Sequence, residues 1–202
     1  MALVAIASAS VASGTRANEL WPQRLTEELD ALKCPGAVVG LFPDEGPAAT
    51  VAVGAADKES RTLVRLDMRI RIGSVSKLFV GAAALCLVDR GVLSLDDPVS
   101  RYVPGVPNSE RITLPMLGDQ TSGLGDPTTS SILQAKILKA PRRPWKPREV
   151  RAMADAETTA TKPGRGHRYA NTNTVLLGQV LTSATGKPFP KSSKEPWRGR
   201  WG

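Results

Sequence analysis

A serine and a lysine three residues apart, Ser74 and Lys77, are the first residues in this chain that could act together in chemistry. On a helix, residues three apart lie on one face, so the lysine amine can reach the serine hydroxyl. A neutral amine can accept the hydroxyl proton, and the positive end of a helix favours the anion that forms at the serine. Taken alone, the pattern is more typical of a serine that caps a helix and a solvated lysine in its first turn.

A tyrosine and an asparagine, Tyr169 and Asn171, form the second candidate pair. A free phenol and a free amine both titrate at about 10, so a tyrosine beside a lysine and a serine can share protons with them and provide a base near neutral pH. Two ordinary interpretations stay open. Tyr169 can be a half-buried tyrosine, and Asn171 can be the N-cap of the helix that follows it.

Two predicted helices position these candidates. The first runs from Ser74 to Arg90 and ends at Gly91, a residue that suits the left-handed conformation after a helix. The second covers residues 174–182, where apolar side chains recur at helical spacing, and a Pro-Gly turn over 163–166 precedes Tyr169. Both pairs are therefore predicted at, or just before, a helix N-terminus.

The rest of the chain predicts an α+β fold, because a helix, a hairpin and a strand are followed by mostly helical segments. Apolar spacing and turn residues predict a helix over 18–33, a hairpin of strands 37–42 and 48–55 with its turn at 43–47, a strand over 69–72, a helix beginning at 95–98, a helical turn over 113–117, a loop over 140–148 and a helix over 148–156.

Five short blocks occur in a fixed order between about residues 30 and 189. They are Ile-Gly-Ser-Val-Ser-Lys at 72–77, Gly-Val-Leu-Ser-Leu-Asp-Asp-Pro-Val at 91–99, Gln-Thr-Ser-Gly-Leu at 120–124, Pro-Gly with Tyr-Ala-Asn-Thr over 163–172, and Leu-Leu-Gly at 176–178. This ordered set resembles the serine β-lactamase and DD-peptidase superfamily, in particular class C β-lactamases, D-alanyl-D-alanine carboxypeptidases and related esterases.

The resemblance implies a role for each candidate. Ser74 would be the acylated nucleophile, Lys77 its base or proton relay, and Tyr169 the second member of the base pair. Asn171 would bind the amide of the substrate, and the backbone N–H of Ser74 would form half of an oxyanion hole. The implied reaction transfers an acyl group from an amide, β-lactam or ester of a small molecule or peptide to Ser74 and then to water. No metal or organic cofactor is implied.

The chain departs from the superfamily after Asn171. The third motif, Lys or His followed by Ser or Thr and then Gly, is absent there, and no segment predicts the C-terminal strands of the family's sheet. Residues 18–186 are therefore predicted to form a partial β-lactamase-like domain, and a catalytically impaired remnant that acts at most as a binding protein is the alternative. Gln120 also stands where relatives often carry a histidine, which puts the local packing in question.

Composition and charge narrow the remaining possibilities. The chain has 202 residues and a net charge of +8, which suits one domain with a hydrophobic core. Two cysteines and one histidine are too few for a cysteine- or histidine-based metal site, and whether Cys34 and Cys86 pair is open. No apolar run is long enough to span a bilayer. The composition and charge of the chain do not predict its oligomeric state.

The two ends of the chain differ from its middle. Residues 2–12 are apolar and rich in small residues, so the leader 1–17 could be a signal segment. No Lys or Arg precedes the apolar run, so export and a cytoplasmic location are equally open. Residues 136–202 contain 15 basic and 4 acidic residues, and the tail 187–202 is predicted to be disordered. Polyanion binding by this basic part is a weaker alternative, and nucleic acid is not expected because no recognition motif accompanies the charge.

Overall fold

The computed structural model describes residues 3–7, 15–42, 49–140, 143–155 and 161–188. Two compact units divide the chain, Met1–Gly73 and Ser74–Gly202. The predicted hairpin turn at 43–47, part of the predicted leader at 1–17 and most of the predicted tail at 187–202 lie outside the described residues. The four candidate residues all lie in the second unit.

The first unit contains a helix and a small sheet. Helix α1 spans Thr15–Ala31, and strands β1 (Leu3–Ala7), β2 (Gly36–Leu41) and β3 (Ala49–Gly54) form a sheet in the order β1-β2-β3. Strands β2 and β3 pair antiparallel, with Val39 opposite Val51, which confirms the predicted hairpin. Strand β1 pairs in parallel with the other edge of β2.

The second unit is helical in its described part. Its helices are α2 (Ser76–Asp89), α3 (Leu114–Gly118), α4 (Ser131–Lys139), α5 (Pro147–Asp155) and α6 (Asn171–Thr185). Short 3-10 turns occupy Gly73–Val75, Val99–Arg101 and Pro127–Thr129. The fold is therefore α+β and corresponds to a partial β-lactamase-like fold, in whose described residues no strand follows Gly54.

Helix α6 lies at the centre of the second unit and packs against α2, α3 and α5. Its residues Leu176, Val180 and Leu181 are fully buried, as is Ile112 from the segment before α3. Burial of each such side chain stabilises a fold by about 1.5–3 kcal/mol. This core holds the N-terminal ends of α2 and α6 in place, and those are the ends that carry the candidate residues.

Helix α2 is apolar around most of its circumference. One face buries Val80, Ala83 and Leu87 in the core, whereas Leu78 and Phe79 are exposed. Gly91 adopts a positive φ of 68° directly after the helix end, as its predicted role requires. Cys86 is only partly buried, and no disulfide joins it to Cys34. None of the helices in the described ranges is both long and apolar enough to cross a membrane.

Two sequence predictions are wrong. Residues 69–72 are not a strand, because alternation sets the direction of side chains but does not supply a partner, and no described strand pairs with them. The helix predicted from 95–98 is only the 3-10 turn Val99–Arg101. Val103 N–H still donates to the carbonyl of Val99 (2.9 Å), but Pro104 has no N–H to continue the series and Gly105 adopts a positive φ of 73°.

Candidate active site

Ser74 and Lys77 lie at the entrance to α2. Ser74 belongs to the 3-10 turn before the helix, and Lys77 lies in the first helical turn. Lys77 Nζ donates a hydrogen bond to Ser74 Oγ at 3.1 Å, as the three-residue spacing predicts. The capping interpretation of Ser74 is wrong, since Val75 is the N-cap of α2 and no side chain caps it. The serine hydroxyl is therefore directed to the lysine rather than to the helix backbone.

Tyr169 contacts the same serine, although it comes from a distant part of the sequence. Its hydroxyl lies 2.8 Å from Ser74 Oγ, although 95 residues separate the two in sequence. Lys77 Nζ is 4.9 Å from the centre of the Tyr169 ring. Tyr169 is 47% exposed, so the phenol faces solvent while it contacts the serine. The structure thus joins a hydroxyl, a phenol and an amine in one cluster.

The environment makes Tyr169 a stronger acid than a free tyrosine. Hydrogen bonds with Lys77 and Ser74 lower the pKa of the phenol below its ordinary value, and the positive charge of Lys77 adds to this effect. Partial burial and the negative charge of Asp126 oppose the shift without cancelling it. A lowered pKa increases the phenolate fraction near neutral pH, which is the form that can accept a proton from Ser74.

Asn171 connects Lys77 to a residue that the motifs did not indicate. Its Oδ1 accepts a hydrogen bond from Lys77 Nζ at 2.8 Å. Its Nδ2 donates to the carboxylate of Asp126, 3.4 Å from Oδ1 and 3.3 Å from Oδ2. The N-cap of α6 is Ala170 and no side chain caps it, so the capping interpretation of Asn171 is wrong.

Gln120 holds the segment that carries Tyr169. Its Oε1 accepts from the backbone N–H of Ala170 at 2.9 Å and from Nδ2 of Asn173 at 2.8 Å. Its own carbonyl accepts from the N–H of Arg168 at 2.9 Å. Gln120 therefore binds the backbone of both residues that flank Tyr169. The residue that replaces the family's frequent histidine does not disrupt the packing but makes the hydrogen bonds that position the tyrosine.

Further hydrogen bonds join the 120–126 loop to the start of α6. Ser122 Oγ donates to Asn173 Oδ1, and Thr172 Oγ1 donates to the carbonyl of Gly125 at 2.7 Å. Gly123 has a φ of 74°, and a Cβ at this position would collide with the carbonyl oxygen of Thr161. Only glycine fits there without strain. The loop is therefore built to approach its neighbours closely and to keep Asp126 and Asn171 together.

Sequence reasoning missed Asp126 and the role of Gln120. Asp126 was visible as an aspartate before Pro127, a pair typical of the start of a helical turn, and its side chain does accept from the N–H of Thr128 at 3.0 Å. Nothing in the spacing indicates its second contact with Asn171. His167 lies in an exposed loop. Among the described residues no cluster of three or more His, Cys, Asp or Glu could hold a metal ion.

A family model described as beta-lactamase matches residues 22–198. The chain belongs to this family. It is 32% identical over 138 residues to the D-alanyl-D-alanine-carboxypeptidase/endopeptidase AmpH of Escherichia coli strain K12, over 65% of this chain and 34% of that protein. It is 28% identical over 174 residues to a beta-lactamase of Yersinia enterocolitica, over 85% of this chain and 42% of that protein.

Solved structures show the same relationship. The D-amino acid amidase of Ochrobactrum anthropi SV3 superimposes with a TM-score of 0.76 at 25% identity, over 86% of this chain and 46% of that chain. A D-stereospecific amidohydrolase from Streptomyces sp. gives a TM-score of 0.73 at 30% identity, over 86% and 52%. The β-lactamase-family chain therefore spans about a third to a half of the length of these relatives.

Proposed function

We propose that this β-lactamase-family chain is a serine acyl hydrolase. Ser74 would attack the carbonyl of an amide, β-lactam or ester, and water would then release the acyl group. The observation that carries the proposal is that Ser74 Oγ makes hydrogen bonds with both the phenol of Tyr169 (2.8 Å) and the amine of Lys77 (3.1 Å). A serine needs such a base within hydrogen-bond distance to become nucleophilic.

The proposed acylation follows from this geometry. The Tyr169–Lys77 pair accepts the Ser74 proton as Oγ bonds to the carbonyl carbon, and the backbone N–H of Ser74 stabilises the resulting oxyanion. The intermediate collapses, the carbonyl re-forms, and the pair gives the proton to the leaving amine or alcohol. Deacylation repeats these steps with water as the nucleophile and Ser74 Oγ as the leaving group. The pair ends in its original protonation state.

Asn171 is proposed to bind the substrate amide in addition to contacting Lys77. Its Oδ1 already accepts from Lys77 and its Nδ2 already donates to Asp126. An amide oxygen has a second lone pair and an amide nitrogen a second hydrogen, so capacity remains for a substrate.

A covalent binding protein is the second candidate function. Among the residues that the structure describes, the oxyanion hole has one proposed donor, the backbone N–H of Ser74. Loss of one oxyanion donor typically lowers kcat by about 10²–10³. In this second function Ser74 is acylated, but the acyl-enzyme is hydrolysed slowly.

A labelling experiment tests the proposal. The purified chain is incubated with a fluorescent penicillin and, separately, with an activated ester, and bound fluorescence and released product are followed over time. Covalent labelling that disappears in Ser74→Ala supports acyl transfer to Ser74. Product release beyond one equivalent supports a hydrolase, whereas one stable equivalent supports the binding protein. A folded chain that is not labelled by either probe contradicts both.

A further inference from the structure

Asp126 is a buried charge next to the Ser74–Lys77–Tyr169 cluster. Only 6% of the residue is exposed, and a buried carboxylate is stable only where hydrogen bonds replace its water. One oxygen caps the 3-10 turn Pro127–Thr129 by accepting from the N–H of Thr128. Both oxygens also face Nδ2 of Asn171. The cap explains one of these contacts but not the other.

Asn171 lies between two groups of opposite hydrogen-bonding character. The Lys77 ammonium can only donate, and the Asp126 carboxylate can only accept. An amide with its oxygen on Lys77 and its nitrogen on Asp126 therefore satisfies both neighbours. A flipped amide would place two donors against each other at Lys77 and two acceptors against each other at Asp126. The carboxylate thus determines which end of the Asn171 amide meets the lysine.

We propose that Asp126 is a positioning residue for acyl transfer, which holds the Asn171 amide so that Asn171 Oδ1 keeps Lys77 Nζ against Ser74 Oγ. This inference rests on the proposed function and adds a residue to it. Asp126 acts through Asn171, since its described side-chain hydrogen bonds go to Asn171 and Thr128 and not to Ser74. Its removal should leave the nucleophile intact but its lysine poorly oriented.

Asp126→Asn tests this with almost no change in shape. If the new side chain keeps its oxygen on the N–H of Thr128, its nitrogen replaces Oδ2 and opposes Asn171 Nδ2 as a second donor, which weakens the hold on the Asn171 amide. The rate of Ser74 acylation should then fall by about 10-fold to 100-fold, the scale of a displaced catalytic group. An acylation rate equal to that of the parent chain in folded Asp126→Asn would overturn the proposal.

Asp97→Asn is the matched control. Asp97 is also a buried carboxylate, 7% exposed, and it accepts from Ser94 N–H, Arg101 and Tyr102, none of which belongs to the site. Its variant should change the acylation rate by less than about twofold, as for a substitution remote from the chemistry, even if it lowers stability. A loss equal to that of Asp126→Asn would show a general effect of removing a buried charge and would also overturn the proposal.

A double-mutant cycle separates positioning from structural support. If Asp126 acts through Asn171, adding Asp126→Asn to Asn171→Ala should cause no further loss of acylation rate. The same loss in both backgrounds would mean that Asp126 supports the fold independently of Asn171, which contradicts the proposal.

A readout without catalysis distinguishes failure of this inference from failure of the proposed function. The side-chain amide protons of Asn171 can be followed by NMR hydrogen exchange in the parent chain, in Asp126→Asn and in Asp97→Asn. Exchange that is accelerated only in Asp126→Asn supports the hold of Asp126 on the amide, and unchanged exchange overturns it. Absence of labelling in the parent chain would contradict the proposed function alone, because the exchange measurement still tests Asp126.

Discussion

The hydroxyl of Tyr169 is the group on which the proposed chemistry depends most. It contacts the nucleophile at 2.8 Å, and its neighbours Lys77 and Ser74 lower the pKa of its phenol. When Lys77 carries its positive charge it cannot accept the Ser74 proton, so the phenolate of Tyr169 is the base that remains in the cluster. Tyr169, rather than Lys77 alone, is therefore the group expected to set the pH dependence of acylation.

Tyr169→Phe should reduce the acylation rate of Ser74 by about 10²–10⁴, the usual contribution of a general base. In the parent chain the rate should rise with pH, because the phenolate is the base, and should level off at a pH below the ordinary tyrosine pKa of about 10. This rise belongs to the coupled cluster of Ser74, Lys77 and Tyr169. Stopped-flow labelling across pH checks both points, and an unchanged profile in Tyr169→Phe would contradict the assignment.

Helix geometry was enough to predict that Ser74 and Lys77 share a face, but the ordered set of motifs was needed to favour a catalytic pair over a capping serine and a solvated lysine. The residue types alone were not enough to decide what Asn171 does, because an N-cap and a lysine partner look alike in sequence. The role of Asp126 could not be predicted from the sequence either. Its link to Asn171 spans 45 residues and depends on how the 120–126 loop packs on α6, which no local pattern encodes.

At the scale of elements, Gln120 joins the loop before Asp126 to the start of α6. Gln120→Ala should leave two buried donors, Ala170 N–H and Asn173 Nδ2, without their acceptor, at a cost of about 1–3 kcal/mol each in the free energy of unfolding. Acylation should also slow because Tyr169 loses its support. Urea unfolding and the labelling rate measure the two effects.

Gln134→Ala is the control for that substitution. Gln134 also uses its side-chain amide, donating to the carbonyl of Thr128, but at an exposed position. Its loss should change the free energy of unfolding by no more than about 0.5 kcal/mol. Equal destabilisation by the two variants would contradict the special role of Gln120.

The elements differ in how well their sequence indicates them. The β2–β3 hairpin and α6 follow apolar patterns that match their buried faces, so they were predictable. Helix α4 was missed because its apolar residues do not form one buried stripe. Leu133 lies in the core, whereas Ile132, Ile137 and Leu138 are exposed. The 95–98 segment carries good helix-start signals, yet the turn that follows stops at Pro104 and Gly105, which cannot continue a helix.

For the molecule as a whole, the core around α6 should decide whether the second unit is stable. Leu181→Ala removes a fully buried side chain and should lower the free energy of unfolding by about 2–5 kcal/mol. Leu138→Ala removes the same atoms at a site that is 82% exposed and should change it by no more than about 0.5 kcal/mol. Urea unfolding compares them, and equal effects would contradict the described core.

The four clustered residues lie in one unit of a chain that spans only part of the length of its relatives. The cluster of Ser74, Lys77, Tyr169 and Asn171 lies within the unit Ser74–Gly202, whereas the chain covers only 34% of the AmpH relative and 46% of the D-amino acid amidase. The order of the motifs, and with it the family, could be predicted from the sequence because that order is a property of the sequence itself. The rate of turnover could not be predicted, because it depends on distances and protonation states within the cluster, which no motif encodes.

The most direct test of the central claim is an intact-mass time course with the fluorescent penicillin, followed by mapping of the modified peptide. Ser76→Ala is the matched control for Ser74→Ala, because it also removes a serine hydroxyl, from a residue two positions away. We expect one adduct on Ser74 that forms in the parent chain and in Ser76→Ala but not in Ser74→Ala. An unmodified mass for the folded parent chain, or an adduct that persists in Ser74→Ala, would contradict it.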